Sequence, residues 1–509
     1  MKILLVNPPQ RYPKDFYNPR DFRMQIPVGL LYIAAVLEKA GHDVKVLDAF
    51  TTGGGDVINT FYDETQIYFG ASWETMEAEM AKHEPDVIGI SSPFSTQIEM
   101  AIKIADMAKR TSPKATTVVG GPHASVLPAD VLERSKNVDI TVSGEGEKII
   151  LDLVRCLEKK GDLSKVKGIS YRKGRTLKTN EKAAFITDLD SLPLPAYHLI
   201  DVEKYFTFAK NGLKSRPYIT SERCVSMITS RGCPFDCIFC SIHLHMGRQW
   251  RAHSPEYVLK HLQMLVDKYG VRHISFEDDN LTLDRKRFET ILDGIIERKL
   301  KISWDTPNGV RADSLDKELL IKAKKSGATR MVVGVESGDQ AVLDKIINKS
   351  LDLKKVVEVA GACKKVGLNL HTFFMIGLPG EKKENIRKTF DFAWMLMKDY
   401  DVIPSFGIAV PLLGTQLYKI CEEHRCFARE PTPDNLQLGL HFQARGGMIK
   451  TEDFDPDFLS DSIRDFFRRL TRYQFKRPRY VLKMFLQDPK AFIYKASRLM
   501  NKASSDKIK

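Results

Sequence analysis

The chain has 509 residues, with 78 Lys and Arg against 65 Asp and Glu, and a formal charge of +13. Its 43% hydrophobic and 28% charged residues exclude wholesale disorder, collagen and a disulfide miniprotein. The charge is local: residues 464–509 hold 14 Lys and Arg and three acids, a net +11, which leaves the other 463 residues near +2. The length predicts two or three domains. No run of 18 apolar residues occurs, so no spanning helix is expected, and the apolar start at residues 3–6 is too short for a secretory signal. Three of the eight cysteines fall within eight positions. That spacing points to a metal site in a reducing cytoplasm rather than to a disulfide framework.

The first 160 residues alternate short apolar runs with helical periodicity. Strands are predicted at 2–6, 44–48, 86–91, 116–120 and 138–143, and helices at 29–40, 73–82, 97–110 and 128–135. This alternation predicts a doubly wound, Rossmann-like parallel sheet that binds its ligand beyond the carboxyl ends of the strands. Those ends carry Asn7-Pro8-Pro9, Ser91-Ser92-Pro93, Gly120-Gly121-Pro122-His123 and Gly144-Glu145-Gly146-Glu147. Gly and Ser there let a bulky ligand approach the backbone. A Gly-x-Gly-x-x-Gly turn after the first strand is missing, which argues against a dinucleotide.

Residues 161–220, including the proline-rich stretch 188–195, lack helical period and read as an extended bridge. From 221 to 424 the alternation resumes. Strands are predicted at 225–230, 273–277, 303–305, 330–334, 369–376 and 403–410, with helices at 255–269, 285–298, 316–326, 339–348 and 354–366. Six such units suit a partial (β/α)6 barrel of the TIM type, whose chemistry sits at the C-terminal strand ends. Residues 425–509 read as an extension with basic amphipathic helices. In the first, Ile463, Phe466, Phe467, Leu470 and Tyr473 share one face and Arg464, Arg468, Arg469 and Arg472 the other; Asp488-Pro489 opens the second.

The strongest local signal is Arg231-Gly232-Cys233-Pro234-Phe235-Asp236-Cys237-Ile238-Phe239-Cys240, a Cys-x3-Cys-x2-Cys loop directly after a barrel strand. Three thiolates on one loop suit three irons of a 4Fe-4S cluster and leave the fourth iron open. A structural zinc would want a fourth ligand, which Cys224 or His243 would have to supply. At these residues the sequence resembles the radical SAM superfamily. The resemblance implies a cluster on Cys233, Cys237 and Cys240, with Phe239 beside S-adenosylmethionine. It implies contacts to that cofactor from the acidic loop 276–280, from Glu336 and Ser337, and from Gly377 in the loop 375–381. The acidic loop departs from the family's Gly-Gly-Glu form, so Asp278 and Asp279 both stand as candidates. Residues 308–313 and 411–415 are also similar to this group. Taken singly, Glu336 is equally a helix cap and Gly377–Glu381 an ordinary turn; their order behind the cysteine loop is what unites them.

The first domain resembles the cobalamin-binding domain of the cobalamin-dependent radical SAM enzymes, a subfamily of methylases and cyclases. The cobalamin contacts this implies are Asn7, Pro8, Gly29, Ser91, Ser92, Gly120, Gly121, Glu145 and Gly146. No Asp-x-His-x-x-Gly surrounds any of the 12 histidines, which implies a cobalt without that lower ligand, and His123 reads as a loop residue. The implied reaction is reductive cleavage of S-adenosylmethionine to a 5′-deoxyadenosyl radical, hydrogen abstraction from an unactivated carbon, and methyl transfer from methylcobalamin. The alternatives are an anaerobic oxidative cyclase of the tetrapyrrole type and a non-catalytic cobalamin or iron-sulfur sensor. Implied partners are a small-molecule, lipid or tetrapyrrole substrate and a flavodoxin or ferredoxin electron donor. Nucleic acid is disfavoured, because the net charge leaves the cofactor domains near neutral. The basic tail is expected to pack on the barrel, to rest peripherally on the inner membrane surface, or to steer an acidic donor.

Overall fold

The structure, a computed structural model, describes residues 1–14, 24–53, 60–213, 216, 218–439 and 447–477. Residues 1–456 form one compact unit and 457–509 a second.

The first unit opens with β1 (Lys2–Asn7), β2 (Asp43–Asp48), β3 (Val87–Ser91), β4 (Thr116–Gly120) and β5 (Ile140–Val142). These five strands are parallel, in the order β2-β1-β3-β4-β5. Strand order reverses between β1 and β3, and a doubly wound sheet has its ligand crevice at that switch. Val6 lies opposite Ile90, and Ser91 opposite Gly120, so the carboxyl ends are level along the crevice. The helix α1 (Val28–Lys39) precedes β2. Leu4, Val6, Ile88, Ile90 and Val119 are buried with Ile98, Ala101 and Ala105 of the helix α2 (Ile98–Thr111). Such continuous apolar runs belong to strands covered on both faces.

Several elements differ from the sequence-based expectation. Residues 161–220 are not wholly an extended bridge, because β6 (Ile169–Lys173) and β7 (Thr176–Thr179) add an antiparallel hairpin to the β5 edge of the sheet. The outer strand β7 is short and exposed, with Lys178 in it, which discourages further pairing. The Gly-Glu-Gly-Glu segment opens a helix, α3 (Gly146–Glu158), that buries Ile149, Ile150, Leu153 and Val154. The helix expected at 128–135 is present as Pro128–Arg134, and an unexpected short one, Pro122–Val126, precedes it, each with Pro in its first turn. A small antiparallel sheet of Gln10–Pro13, Gln66–Phe69 and Thr60–Tyr62 had no counterpart in the sequence reading.

The barrel strands are β8 (Cys224–Met227), β9 (His273–Phe276), β10 (Ser303–Asp305), β11 (Arg330–Glu336), β12 (Asn369–Ile376) and β13 (Ile403–Ile408). They form two parallel three-stranded sheets, joined by bridges from Trp304 to Ala328 and from Val310 to Val333. The result is a partial barrel of six strands. Trp304, fully buried, packs edge-on against Phe276 and Phe288 at 5.7 and 5.9 Å between ring centres. The strand expected to run to 230 stops at Met227, since Ser230–Arg231 pairs antiparallel with Arg251–Ala252 and closes residues 232–250 into a lobe.

In the second unit, the helix Pro456–Phe475 buries Leu459, Ile463 and Phe466, while Arg464 and Arg468 pair with Asp461 and Asp465 one turn earlier. The helix expected from Asp488-Pro489 lies outside the described residues. Among the described residues no helix is long and apolar enough to cross a membrane.

Candidate active site

The carboxyl ends of β1 to β5 and the lobe above the barrel enclose one cavity of about 450 Å³. On the first-domain side it is lined by Asn7, Gly29, Ser91, Gly120, Gly121, Glu145 and Gly146; on the barrel side by Ser226, Ile228, Arg231, His245, Met246 and Glu277. Of the nine residues expected at cobalamin, Pro8 and Ser92 do not line it. Ser92 sits behind the wall: its N–H donates to the Gly120 carbonyl at 2.8 Å, and its buried Oγ has no hydrogen-bond partner among the described residues. Asn7 lines the cavity while its amide donates to the buried Asp48 carboxylate at 2.8 Å.

Gly121 has φ +124°, and a Cβ there would collide with the Ser92 carbonyl oxygen, so the loop can pass only as glycine. A Cβ on Gly29 or Gly144 would meet nothing within 4 Å, which leaves open space over those backbones. A backbone floor of this kind, with an apolar wall from Val28, Ile33, Ile90, Val118 and Ile150, suits a large flat ring system such as a corrin. His123 is not among the lining residues; its Nε2 is 2.9 Å from Asp130.

The cysteine loop lies in the lobe and is tied down through its backbone. Ile238, buried between Cys237 and Phe239, donates its N–H to Ile347 O at 3.1 Å and accepts at its carbonyl from Leu417 N–H at 2.9 Å. Ile347 closes a π-helical turn, Leu343–Ile347, a form that recurs at functional sites. Phe235 lies 3.7 Å from the Arg311 guanidinium. Cys233, Cys237 and Cys240 are half-buried and free, and Phe239 is half-buried beside them. Burial pushes the Cys240 thiol up to about 11, with added repulsion from Cys237, Cys233 and Asp279. Burial raises the Cys237 thiol as well, so for Cys237 and Cys240 a bound metal is what would favour the thiolate. Among the described residues no three His, Cys, Asp or Glu side chains converge as a single-ion site requires. The three-cysteine spacing is the donor set of a 4Fe-4S cluster with one iron left open, whereas a structural zinc needs a fourth ligand.

Arg231 and Arg251 face each other across the strand pair that closes the lobe. Both are buried, and both reach into the first domain. Arg231 meets Glu145 at 3.0 Å and Glu147 at 2.6 Å; Arg251 meets Glu145 at 2.7 Å and the carbonyls of Ile186 and Met246 at 2.7 and 2.8 Å. All four side chains are buried. Glu145 lines the cavity, as expected of a residue beside the cofactor, while its carboxylate pairs with both arginines and clamps domain to lobe. Sequence reasoning missed both arginines. The available signal was chemical: two arginines flanking a cysteine lobe need carboxylates, and Gly-Glu-Gly-Glu supplies two.

The residues expected at S-adenosylmethionine lie on the barrel's carboxyl ends in two groups. Asp278 is buried and accepts from Thr229 N–H, Thr229 Oγ1 and Ser230 Oγ at 2.5 to 3.1 Å, which fixes the turn leading to the lobe. Asp279 accepts from Gly232 N–H at 3.2 Å, next to Cys233, and burial pushes it up to about 7. Glu336, at φ +70° on a β11 bulge, pairs with Lys349 at 2.8 Å. Ser337 is fully buried, with its Oγ 3.1 Å from Thr389 Oγ1. Gly377 and Leu378 both donate N–H to Glu381 Oε2 at 2.8 Å. Burial pushes Glu381 up to about 7 against those two bonds.

Comparison with known proteins matches residues 24–154 to the B12 binding domain and 227–393 to the radical SAM superfamily. An uncharacterized methyltransferase of Pyrococcus horikoshii is 29% identical over 503 residues, covering 98% of this chain and 97% of its own. Cytidylyl-2-hydroxyethylphosphonate methyltransferase of Streptomyces wedmorensis is 30% identical over 447 residues, covering 82% of this chain and 81% of its own. Among solved structures, the cobalamin-dependent S-adenosylmethionine radical enzyme OxsB with aqua-cobalamin shares the fold, with TM-score 0.70 and 19% identity over 97% of this chain and 71% of that one.

Proposed function

The chain belongs to the cobalamin-dependent radical SAM enzymes, and on that premise we propose that it transfers a methyl group to an unactivated carbon of a small-molecule substrate. The observation that carries this reading is the single cavity shared by the backbone floor of the first sheet and the cysteine lobe of the barrel. Bound in these places, the cluster and S-adenosylmethionine supply the hydrogen-abstracting radical and cobalamin the methyl group.

The residues divide the work. Cys233, Cys237 and Cys240 hold the cluster. Asp279 spends one oxygen on the Gly232 N–H and offers the other to the amino group of S-adenosylmethionine. Asp278, saturated by Thr229 and Ser230, positions that turn instead. Glu381 holds the Gly377 and Leu378 N–H groups, shaping the loop beside the adenine. Glu145 and Glu147, through Arg231, fix the distance between the corrin floor and the cysteine lobe.

The test is anaerobic reconstitution of the chain with iron, sulfide and cobalamin, then turnover with methyl-labelled S-adenosylmethionine on small-molecule, tetrapyrrole and lipid candidates. The expected product carries the labelled methyl, together with released 5′-deoxyadenosine. A product that loses hydrogens without gaining the label belongs to a cyclase and contradicts methyl transfer. Absence of 5′-deoxyadenosine with a full cluster returns the chain to a sensor.

A further inference from the structure

Outside the cofactor cavity, a charged groove of about 660 Å³ lies between α3 and the segments around 165 and 183. Lys148, Arg155, Lys159, Lys165 and Lys167 line it against Asp152 and Asp162. Arg155 is 3.7 Å from Asp152 and Lys167 is 2.9 Å from Glu181. Lys148, Lys159 and Lys165 have no acidic partner within ion-pair distance among the described residues, and all three are exposed. The whole stretch 148–182 carries 11 Lys and Arg and four acids. A near-neutral sum over the first 463 residues hides this second basic region.

The groove wall leads to the cysteines. Ala183 and Ala184 line it, and the next two residues run inward. Ile186 donates its N–H to Glu145 at 2.6 Å and accepts from Arg251 at 2.7 Å. The Phe185 ring lies 4.9 Å from the Arg251 guanidinium and packs over Gly247 so tightly that a Cβ there would touch it. The Gly247 carbonyl accepts from the Cys233 N–H at 3.4 Å. Phe185 and Gly247 thus link the groove wall to the first cluster cysteine.

We propose that this groove docks an acidic one-electron carrier protein, which reduces the cluster from behind the cysteine lobe. The proposal rests on the reading above, since reductive cleavage needs an electron from outside the chain. The exchange is one electron out of the reduced carrier and one into the cluster, with no bond made or broken at the groove. Charge complementarity argues for the acidic partner: unpaired lysines around a concave surface raise encounter rates with an anion and make them salt-dependent. The groove lining contains no aromatic side chain on which a nucleic-acid base could stack.

The test compares reduced flavodoxin with titanium(III) citrate as reductant of the reconstituted holoenzyme, reading 5′-deoxyadenosine release at low ionic strength. In the Lys159→Glu/Lys165→Glu variant the flavodoxin-driven rate is expected to fall about 10-fold or more. The titanium-driven rate stays at the wild-type value, and Lys286→Glu on an exposed barrel helix changes neither. Calorimetric titration of flavodoxin is expected to show matching weaker binding by the double variant. Equal flavodoxin-driven rates and equal binding in wild type and double variant overturn the docking site. So does a wild type that titanium(III) drives and flavodoxin neither drives nor binds. If titanium(III) releases no 5′-deoxyadenosine from wild type, the enzymatic reading fails, and the binding titration still decides the groove by itself.

Discussion

The two rims that face each other across the cavity are made of different materials. The first-domain rim is mainly backbone and small residues: Ser91, Gly120, Gly121, Gly144 and Gly146 at strand ends. The opposite rim carries charged side chains held in fixed pairs, Arg231 with Glu145 and Glu147 of the first domain, and Glu277 with Arg216. A backbone rim gives a flat floor that a wide cofactor can lie on. A side-chain rim gives orientation, because each charged group has one low-energy partner geometry. The floor is therefore sensitive to an added methyl group, and the roof to a removed charge.

The largest break should come from the clamp. Glu147→Ala leaves the buried Arg231 guanidinium short of a partner, which costs about 3–5 kcal/mol, so urea denaturation should move to markedly lower midpoints. Glu147→Gln keeps a hydrogen-bond acceptor and should lose less. The next effect belongs to the floor. Gly121→Ala forces a side chain into a positive-φ turn against the Ser92 carbonyl, at a cost of about 3 kcal/mol, and should abolish cobalamin binding by absorbance titration. Gly144→Ala, also at positive φ but facing open space, should retain more of the fold and lose cobalamin affinity, because its methyl enters the cavity.

The paired aspartates sharpen the contrast within one loop. Asp278→Asn should lower stability by about 2 kcal/mol, as charge-assisted bonds to Thr229 and Ser230 weaken. Asp279→Asn should leave the melting temperature nearly unchanged and weaken S-adenosylmethionine binding, read by equilibrium dialysis. A swapped pattern would exchange the two roles.

The smallest effect is pH-dependent. Burial raises Glu381 to about 7 from its ordinary 4.5, so the folded chain holds a proton there that the unfolded chain releases. Its contribution to stability is present below the unfolded value and is lost as pH rises through about 7. Wild type and Glu381→Gln should melt alike at about pH 4, and wild type should fall behind as pH climbs from about 4.5 to about 7. A constant gap in melting temperature across that range would contradict the assignment.

What the sequence made legible is what it writes locally. The parallel strands, the cysteine spacing and the glycine-rich strand ends all sit within short windows, where hydrophobic period and turn chemistry speak directly. The clamp was faint, because Arg231 and Glu145 are 86 residues apart and only their charge chemistry links the two segments. Pro8 and Ser92 are expected at the cofactor from the family resemblance of Asn7-Pro8 and of the Ser91-Ser92 pair, and neither lines the cavity. Neighbours along a strand point to opposite faces, so one of each pair turns away. The hairpin β6–β7 was taken for a bridge because a charged edge strand has little apolar pattern. The basic groove vanished for arithmetic reasons, its lysines cancelled by acids elsewhere in the chain.

The most direct measurement follows the methyl group. Anaerobically reconstituted wild type, given S-adenosylmethionine with a deuterated methyl and a low-potential chemical reductant, should release 5′-deoxyadenosine and pass the deuterated methyl through cobalamin to product, as seen by mass spectrometry. Cys233→Ala, Cys237→Ala and Cys240→Ala should each bind cobalamin normally and release none. A fully loaded wild type that cleaves S-adenosylmethionine but never carries the label onto cobalamin or product would contradict the account.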